Sequence, residues 1–320
     1  MATEAPAVEL DAQYRAMREG AGMLDRSGRA KVTVAGGEAA EYLQGQLTND
    51  IESLDPEAGC YALLLDRKGH IQADARVLRL EAGEIWLDCE PELSERVLKH
   101  LRMYSVGRDL EISDVSGSWA ITSLLGPAAG TIAGFEALGP EHAQRFSDRG
   151  GLEVLAVATA DGLDLVTRRE QADPLRSALR AEGAEPVSEE AAEILRVEAG
   201  RPRWGHELSE HVMPAEAGVV ERAIDFGKGC YIGQEPVARL HYRGRPNRTL
   251  RGLRLSGSAA EGGALRLGDR EVGTVGTSCV SPSHGPIALA IVRREAETGA
   301  TVEVEGGITA VVADLPFAEA

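Results

Sequence analysis

Cysteine is scarce in this chain, and its spacing excludes several classes of protein. The sequence has four cysteines, at positions 60, 89, 230 and 279. They form no Cys-x-x-Cys pair, which excludes a zinc ribbon and a dithiol redox motif, and they are too few for a disulfide scaffold. The N-terminus lacks the basic and apolar segments of a secretory signal, so we expect a cytoplasmic protein with reduced thiols.

Long apolar runs and excess positive charge are missing as well. The apolar run from Pro286 to Val292 is far shorter than the roughly 20 residues of a membrane-spanning helix. Asp and Glu number 51 against 34 Lys and Arg, a net charge of −17, which disfavours nucleic acid and anionic membranes as partners. The hydrophobic content of 43% is typical of a globular protein, and at roughly 150 residues per domain the length predicts about two domains.

Strands and helices alternate irregularly up to about residue 200. The first set has predicted strands at 31–34, 60–65, 73–80 and 84–89 and helices at 38–47 and 94–103. A second set has strands at 119–125, 154–158 and 163–167 and helices at 171–182 and 188–199. No Gly-x-Gly-x-x-Gly follows the first strand, so we predict an α+β fold of two like units, with a break near 115–118, instead of a doubly wound parallel sheet.

The C-terminal part follows a different pattern. From about residue 250, short strands alternate with glycine-rich turns, and no helical periodicity is present. This pattern is typical of a small antiparallel β-barrel. The strands are predicted at 250–255, 273–280, 287–292, 301–304 and 308–313. We therefore divide the chain into a body, 1–245, and a barrel, 246–320.

Cys230 is the first candidate for chemistry. It lies in the glycine-rich segment 225–236, and glycine permits a close approach of the backbone to a ligand. Lys228 precedes it by two residues, and a neighbouring cation lowers the pKa of a thiol. Pro236 suits the first turn of a following helix. The alternative is a buried, inert cysteine in a glycine-rich connection.

A local reversal of charge surrounds this segment. From Lys228 to Arg254 there are seven cations and one carboxylate, in a chain that is acidic as a whole. Such a cluster suits a small ligand with carboxylate or phosphate groups, because arginine binds both in a bidentate way. One alternative is an exposed strand face of the barrel. Another is a nucleic-acid site, but the acidity of the surrounding sequence argues against it.

Two carboxylates lie where local preference disfavours them. Glu198 is predicted in the last turn of a helix, where the helix dipole disfavours an anion. Asp74 begins a predicted strand, although aspartate is a poor strand former. Residues placed against local preference are often functional. The alternatives are a solvated glutamate and an aspartate that caps a turn.

The segment from His206 to His211 contains a pattern similar to that of zinc proteases. Those enzymes need two histidines four residues apart on one helical face, whereas these two are five apart. Pro202, Gly205 and Pro214 also disfavour a helix here. We therefore predict a solvated loop and no metal site.

Several of these segments together resemble one protein family. Lys228-Gly-Cys-Tyr-Ile-Gly-Gln-Glu235 is similar to the signature of YgfZ-type folate-binding proteins that maintain iron–sulfur enzymes. These are relatives of the T-protein of glycine cleavage, an aminomethyltransferase. Supporting matches are found over nearly the whole chain, at 42–50, 196–200, 273–278 and 315–317.

The resemblance implies a fold and a set of site residues. It implies two ferredoxin-like subdomains and a C-terminal antiparallel β-barrel around a central folate-sized cavity, with tetrahydrofolate or a derivative as cofactor. Glu198 would bind the pterin, and Arg239 or Arg243 the carboxylates of the folate tail. Tyr231 and Gln234 of the signature would also contact the folate. Cys230 would be the active thiol, which Lys228 keeps partly ionised.

The resemblance leaves three functions to compare. The leading hypothesis is a folate-binding accessory protein that supports the assembly or repair of iron–sulfur enzymes, with client or assembly proteins as partners. The alternative is aminomethyl transfer, with Asp74 as the acid that polarises the folate. Ala73 stands where the transferases have the first of two acids, which argues against that activity. A third is a folate-binding module without chemistry.

Overall fold

The computed structural model describes residues 7–80 and 83–318. The first half contains, in order, α1 (Ala7–Glu19), β1 (Gly22–Asp25), β2 (Ala30–Ala35), α2 (Ala39–Gln46), β3 (Ala58–Leu65), β4 (Ile71–Arg79), β5 (Glu84–Cys89), α3 (Ser94–Tyr104) and β6 (Glu111–Asp114). It continues with β7 (Trp119–Leu125), α4 (Ala129–Ala133), β8 (Gln144–Asp148), β9 (Glu153–Thr159), β10 (Gly162–Arg168), α5 (Ala172–Ala181), β11 (Glu185–Pro186) and α6 (Glu189–Glu198). The remainder contains α7 (Val220–Ala223), α8 (Gln234–Arg243), β12 (Arg248–Leu255), β13 (Ala264–Leu267), β14 (Arg270–Ser281), β15 (Gly285–Arg293), β16 (Thr301–Val304) and β17 (Ile308–Ala313).

The chain forms two compact units. The first contains residues 1–65, 72–188 and 222–232, and the second contains 66–71, 189–221 and 233–320. The predicted division at residue 245 stays a prediction. Among the described residues, no helix is both long and apolar enough to cross a membrane.

The first unit contains two sheets. One has the strand order β3-β4-β5-β2-β6, and the other β11-β1-β7-β10-β9-β8. The pairs β2–β5, β4–β5, β7–β10 and β9–β10 are antiparallel, whereas β1 and β11 are parallel. The predicted mixture of strands and helices, without regular βαβ alternation, is confirmed.

An apolar cluster joins the two sheets of the first unit. Trp86 of β5 packs edge-on against Trp119 of β7, with 5.0 Å between the ring centroids. Leu78, Leu155 and Val166 belong to the same buried cluster. Their neighbours on β9 and β10, namely Val154, Ala156 and Leu165, are buried in a second cluster, so both faces of these two strands are covered.

A buried ionic network adds a polar connection between the sheets. Arg76 of β4 forms ion pairs with Asp88 of β5 and with Asp164 of β10, the latter at 2.6 Å. All three side chains are at most 9% exposed. Because buried charges are costly unless paired, this network fixes which residues of the two sheets meet.

The second unit contains the predicted antiparallel barrel. Its strands close in the order β12-β15-β14-β13-β16-β17, and all pairs are antiparallel. Alternate residues point inward and form one core, for example Leu253, Leu265, Val292 and Val312. The α+β class and the barrel are thus confirmed.

Candidate functional site

Two segments distant in sequence meet in the first unit. The hydroxyl of Thr48 donates a hydrogen bond to the carbonyl of Ala223 at 2.6 Å, and the carbonyl of Thr48 accepts one from the Asp225 N–H at 3.1 Å. Asn49 Nδ2 also donates to the carbonyl of Arg222, at 3.2 Å. These bonds bring the segment after α2 against the segment that leads to Cys230.

Lys228 anchors the cysteine segment to the end of α2. Its ammonium donates hydrogen bonds to the carbonyls of Gln44 and Leu47, both at 2.6 Å. The last carbonyls of a helix lack partners within the helix and attract cations. Burial lowers the pKa of Lys228 to about 8, and the charge of Asp50 opposes this effect. The expected effect of Lys228 on the Cys230 thiol stays a prediction.

Cys230 is the exposed member of the four cysteines. Cys60 and Cys279 are half-buried, and Cys89 is buried. Burial raises the pKa of each of these three thiols to about 12. A buried, inert Cys230 is therefore the wrong interpretation, because its side chain is open to solvent where a reagent or a partner can reach it.

Tyr231, the next residue, has the opposite environment. It is buried, its ring centroid lies 5.1 Å from the Lys228 ammonium, and burial raises the pKa of its phenol to about 12. Its hydroxyl has no hydrogen-bond partner in the part of the chain that the structure describes. The N–H of Ile232 then donates to the carbonyl of Gly45 at 3.4 Å.

Asp74 lies within β4 and not in a turn, so the turn-capping alternative is wrong. The hydroxyl of Tyr61 on β3 donates a hydrogen bond to Asp74 Oδ2 at 3.0 Å. Asp74 Oδ1 is shielded from solvent and has no hydrogen-bond partner among residues 7–80 and 83–318. Burial raises the pKa of Asp74, while the bond from Tyr61 opposes this rise. Ala73 is buried and, one residue earlier on the strand, points to the other face.

Tyr61 is held in turn by a cation that the sequence did not single out. The Arg222 guanidinium lies 5.0 Å from the centroid of the Tyr61 ring, a cation–π contact. Arg222 also pairs with Glu141 at 3.0 Å. The only sequence signal for Tyr61 is an aromatic residue next to Cys60, which is too common to identify it.

Glu198 ends α6 in the second unit, as predicted. It is 7% exposed, so the solvated alternative is wrong. The Ser281 hydroxyl donates a hydrogen bond to its carboxylate, and the same hydroxyl accepts bonds from the N–H groups of Ser283 and His284 at 3.0 and 2.9 Å. The side chain of Glu198 is thus fixed by the turn between β14 and β15.

The segment from His206 to His211 has a structural role that the sequence missed. Glu207 is 3% exposed, pairs with Arg196 at 3.0 Å and accepts a hydrogen bond from the Thr277 N–H at 2.8 Å. The predicted solvated loop is therefore wrong for Glu207, although both histidines are exposed. The described residues contain no group of three or more side chains suited to a metal ion.

The arginines of the positive cluster, all in the second unit, differ in their partners. Arg248 pairs with Glu216 at 2.8 Å, and Arg251 pairs with Asp314 at 3.1 Å. Arg239 and Arg243 lie on α8, are exposed, and form no ion pair within the described residues. The strand arginines thus support the barrel, whereas those of α8 remain available to an anion.

Gln234 and Pro236 lie at the start of α8. Gln234 is the first residue of α8 and is half-buried, and Gly233 before it has φ 84°. Pro236 lies in the first turn, as predicted. Of the predicted site residues, Asp74, Lys228, Cys230 and Tyr231 belong to the first unit, and Glu198, Gln234, Arg239 and Arg243 belong to the second.

Comparisons with known proteins give a consistent result. The family model for the GCVT N-terminal domain matches residues 7–228. The aminomethyltransferase of Rubrobacter xylanophilus is 31% identical, covering 96% of this chain and 86% of that protein. The aminomethyltransferase of Thermus thermophilus is also 31% identical, with 95% and 89% covered. This chain also superposes on the crystal structure of glycine cleavage system aminomethyltransferase T from Bartonella henselae, with a TM-score of 0.86 at 22% identity. The superposition covers 97% of this chain and 90% of that one, so the two have the same fold.

Proposed function

Because the chain belongs to the GCVT N-terminal domain family, we propose that it binds tetrahydrofolate, a carrier of one-carbon units. Glu198 would accept hydrogen bonds from the pterin, and Arg239 and Arg243 would pair with carboxylates of the folate tail. Tyr231 and Gln234 would add polar contacts. Two observations support a polar ligand: in the described part of the chain, Asp74 Oδ1 and the Tyr231 hydroxyl are shielded and have no hydrogen-bond partner, whereas buried polar groups normally have one.

The leading function is support of iron–sulfur enzymes through the Cys230 thiol. The observation that carries it is the exposure of Cys230 within the signature segment, whereas Cys60 and Cys279 are half-buried and Cys89 is buried. An exposed thiolate can bind one iron of a cluster after losing its proton to solvent. With one exposed cysteine, the other ligands must come from partners, namely client or assembly proteins. The proposal places the protein in the cytoplasm, where thiols stay reduced.

The test compares two cysteine variants in cells that lack the wild-type copy. Cys230→Ser should lower the activity of iron–sulfur enzymes, because an alcohol at this position is a poor iron ligand. Cys279→Ser, at a half-buried cysteine of the barrel, is the matched control and should retain activity. Full activity with Cys230→Ser would remove the thiol from the function.

Aminomethyl transfer is the second candidate, and the names of the relatives favour it. The carboxyl of Asp74, oriented by Tyr61, is the acid that this chemistry requires. The buried Ala73 replaces the other acid of the transferases and argues against it.

An assay of purified protein tests aminomethyl transfer directly. Tetrahydrofolate and an aminomethylated lipoyl carrier protein would yield methylenetetrahydrofolate, ammonia and the reduced carrier. If this candidate is correct, the wild type forms the product and Asp74→Asn does not. Product no higher than in a protein-free control would rule out aminomethyl transfer and leave folate binding intact.

A further inference from the structure

Three large apolar side chains are exposed together at the end of α3. Met103 is 58% exposed, Tyr104 43% and Val106 86%. The inner face of α3 is formed by Val97 and Leu101, which are buried. The three exposed residues lie outside the core, and large apolar side chains left in water close together in the chain are typical of a binding surface.

Positive charge lies beside these apolar side chains. The stretch 96–108 contains four cations and no carboxylate, although carboxylates outnumber cations in the chain as a whole. One of the four, Arg108, is paired with Glu38 and Glu41. Lys99 and Arg102 are exposed beside the apolar group. We define the α3 surface as Lys99, Arg102, Met103, Tyr104 and Val106. Tyr, Met and Arg are the residue types that protein interfaces favour.

The α3 surface is connected to the cysteine segment through α2. The Tyr104 ring contacts the His100 ring in a tilted arrangement, with 4.7 Å between centroids, and His100 Nε2 lies 2.9 Å from Gln46 Oε1 at the end of α2. The adjacent carbonyls of α2 and its C-cap hold Lys228. One helix end thus supports both the α3 surface and the segment with the exposed thiol.

We propose that the α3 surface is the docking site for a client protein that presents an apolar side chain surrounded by carboxylates. This inference rests on the proposed function in iron–sulfur support. Charge complementarity selects an acidic partner for this surface, because Lys99 and Arg102 attract carboxylates there, whereas the rest of this acidic chain repels them. A second copy of the chain fits poorly, since a two-fold contact through this surface would bring two equal sets of cations into one interface.

The test replaces the centre of the α3 surface with carboxylates. Met103→Glu/Val106→Glu should lower the activity of iron–sulfur enzymes in cells about tenfold, the effect of losing 1.4 kcal/mol of docking free energy. Val280→Glu, at a barrel residue that is 60% exposed, is the matched control and should retain activity. Purified variants should react with a thiol reagent at Cys230 at the wild-type rate, which shows that the segment is intact.

A charge variant gives an independent measurement. Lys99→Glu/Arg102→Glu keeps the apolar side chains and should also lower the activity, whereas Lys99→Arg should not. Full activity of both double variants, with Cys230→Ser inactive, would overturn the docking site and leave the proposed function standing. Full activity of Cys230→Ser as well would overturn both.

Discussion

At the scale of single residues, three neighbours in the signature have different environments. Lys228 holds the end of α2 through two carbonyls, Cys230 is exposed, and Tyr231 is buried. The segment is therefore fixed on both sides of the thiol. An anchored, accessible thiol suits repeated encounters with a partner better than one on a free loop does.

Asp74 gives a prediction on pH. Burial raises its pKa above the unfolded value of about 3.9. At pH values between the unfolded and the folded pKa of Asp74, the folded state binds more protons than the unfolded state. The free energy of unfolding of the wild type therefore falls as the pH rises through this range. Asp74→Asn lacks this titration. Relative to the wild type, its free energy of unfolding in urea should therefore increase from pH 4 towards pH 7. If the difference in free energy of unfolding between Asp74→Asn and the wild type stays constant over this pH range, burial does not raise the pKa of Asp74.

The sequence identified some of these residues and could not identify others. The glycine-rich segment with Lys228 selected Cys230, and the misplaced charge selected Glu198, whose side chain is buried in the structure. The bond from Tyr61 to Asp74 joins two strands, and the register of strands depends on tertiary pairing that local patterns do not contain. Arg222 is further still from Tyr61 in sequence, and no pattern predicts their contact.

At the scale of elements, five of the six barrel strands were predicted close to their observed positions. The sixth, β13, has four residues and a bulge in its pairing with β14, so it offers too little alternation to detect. The edge strand β8 was also missed, since its sequence, Gln-Arg-Phe-Ser-Asp, is mostly polar. Edge strands often carry such polar residues, and these obscure the alternation of apolar and polar positions that identifies a strand.

The start of α8 depends on a glycine. Gly233 has φ 84°, a left-handed conformation that costs a residue with a Cβ roughly 1–2 kcal/mol. Gly233→Ala should lower the free energy of unfolding by about this amount. Gly229→Ala is the control, because a Cβ there would meet open space. Equal stability of the two variants in urea would contradict the backbone argument.

The connection between α6 and β14 depends on Glu207. Removing one partner of a buried ion pair costs about 3–5 kcal/mol, and Glu193, which also pairs with Arg196, keeps the loss near the lower value. Glu207→Ala should therefore lower the free energy of unfolding by about 3 kcal/mol. Glu271→Ala, at an exposed residue of β14, should change it little. A Glu207→Ala protein as stable as this control would show that the pair is dispensable.

At the scale of the whole molecule, composition and pattern predicted the α+β class and the barrel, and the signature predicted the wider family. The relation to aminomethyltransferases is confirmed, whereas the assignment to the YgfZ type stays a proposal. Composition and hydrophobic pattern do not resolve this choice, because the resemblance implies one fold for both branches. It depends on a few residues, above all Ala73 and Cys230.

Folate binding is the claim on which the whole account depends, and a calorimetric titration tests it directly. Tetrahydrofolate should bind the wild type, and Glu198→Gln and Glu198→Ala should weaken binding by about 1–3 kcal/mol, the effect of losing a hydrogen-bonding partner. Glu190→Ala, at an exposed residue of the same helix, should bind like the wild type. No heat of binding with the wild type, or equal affinity in all four proteins, would contradict the account.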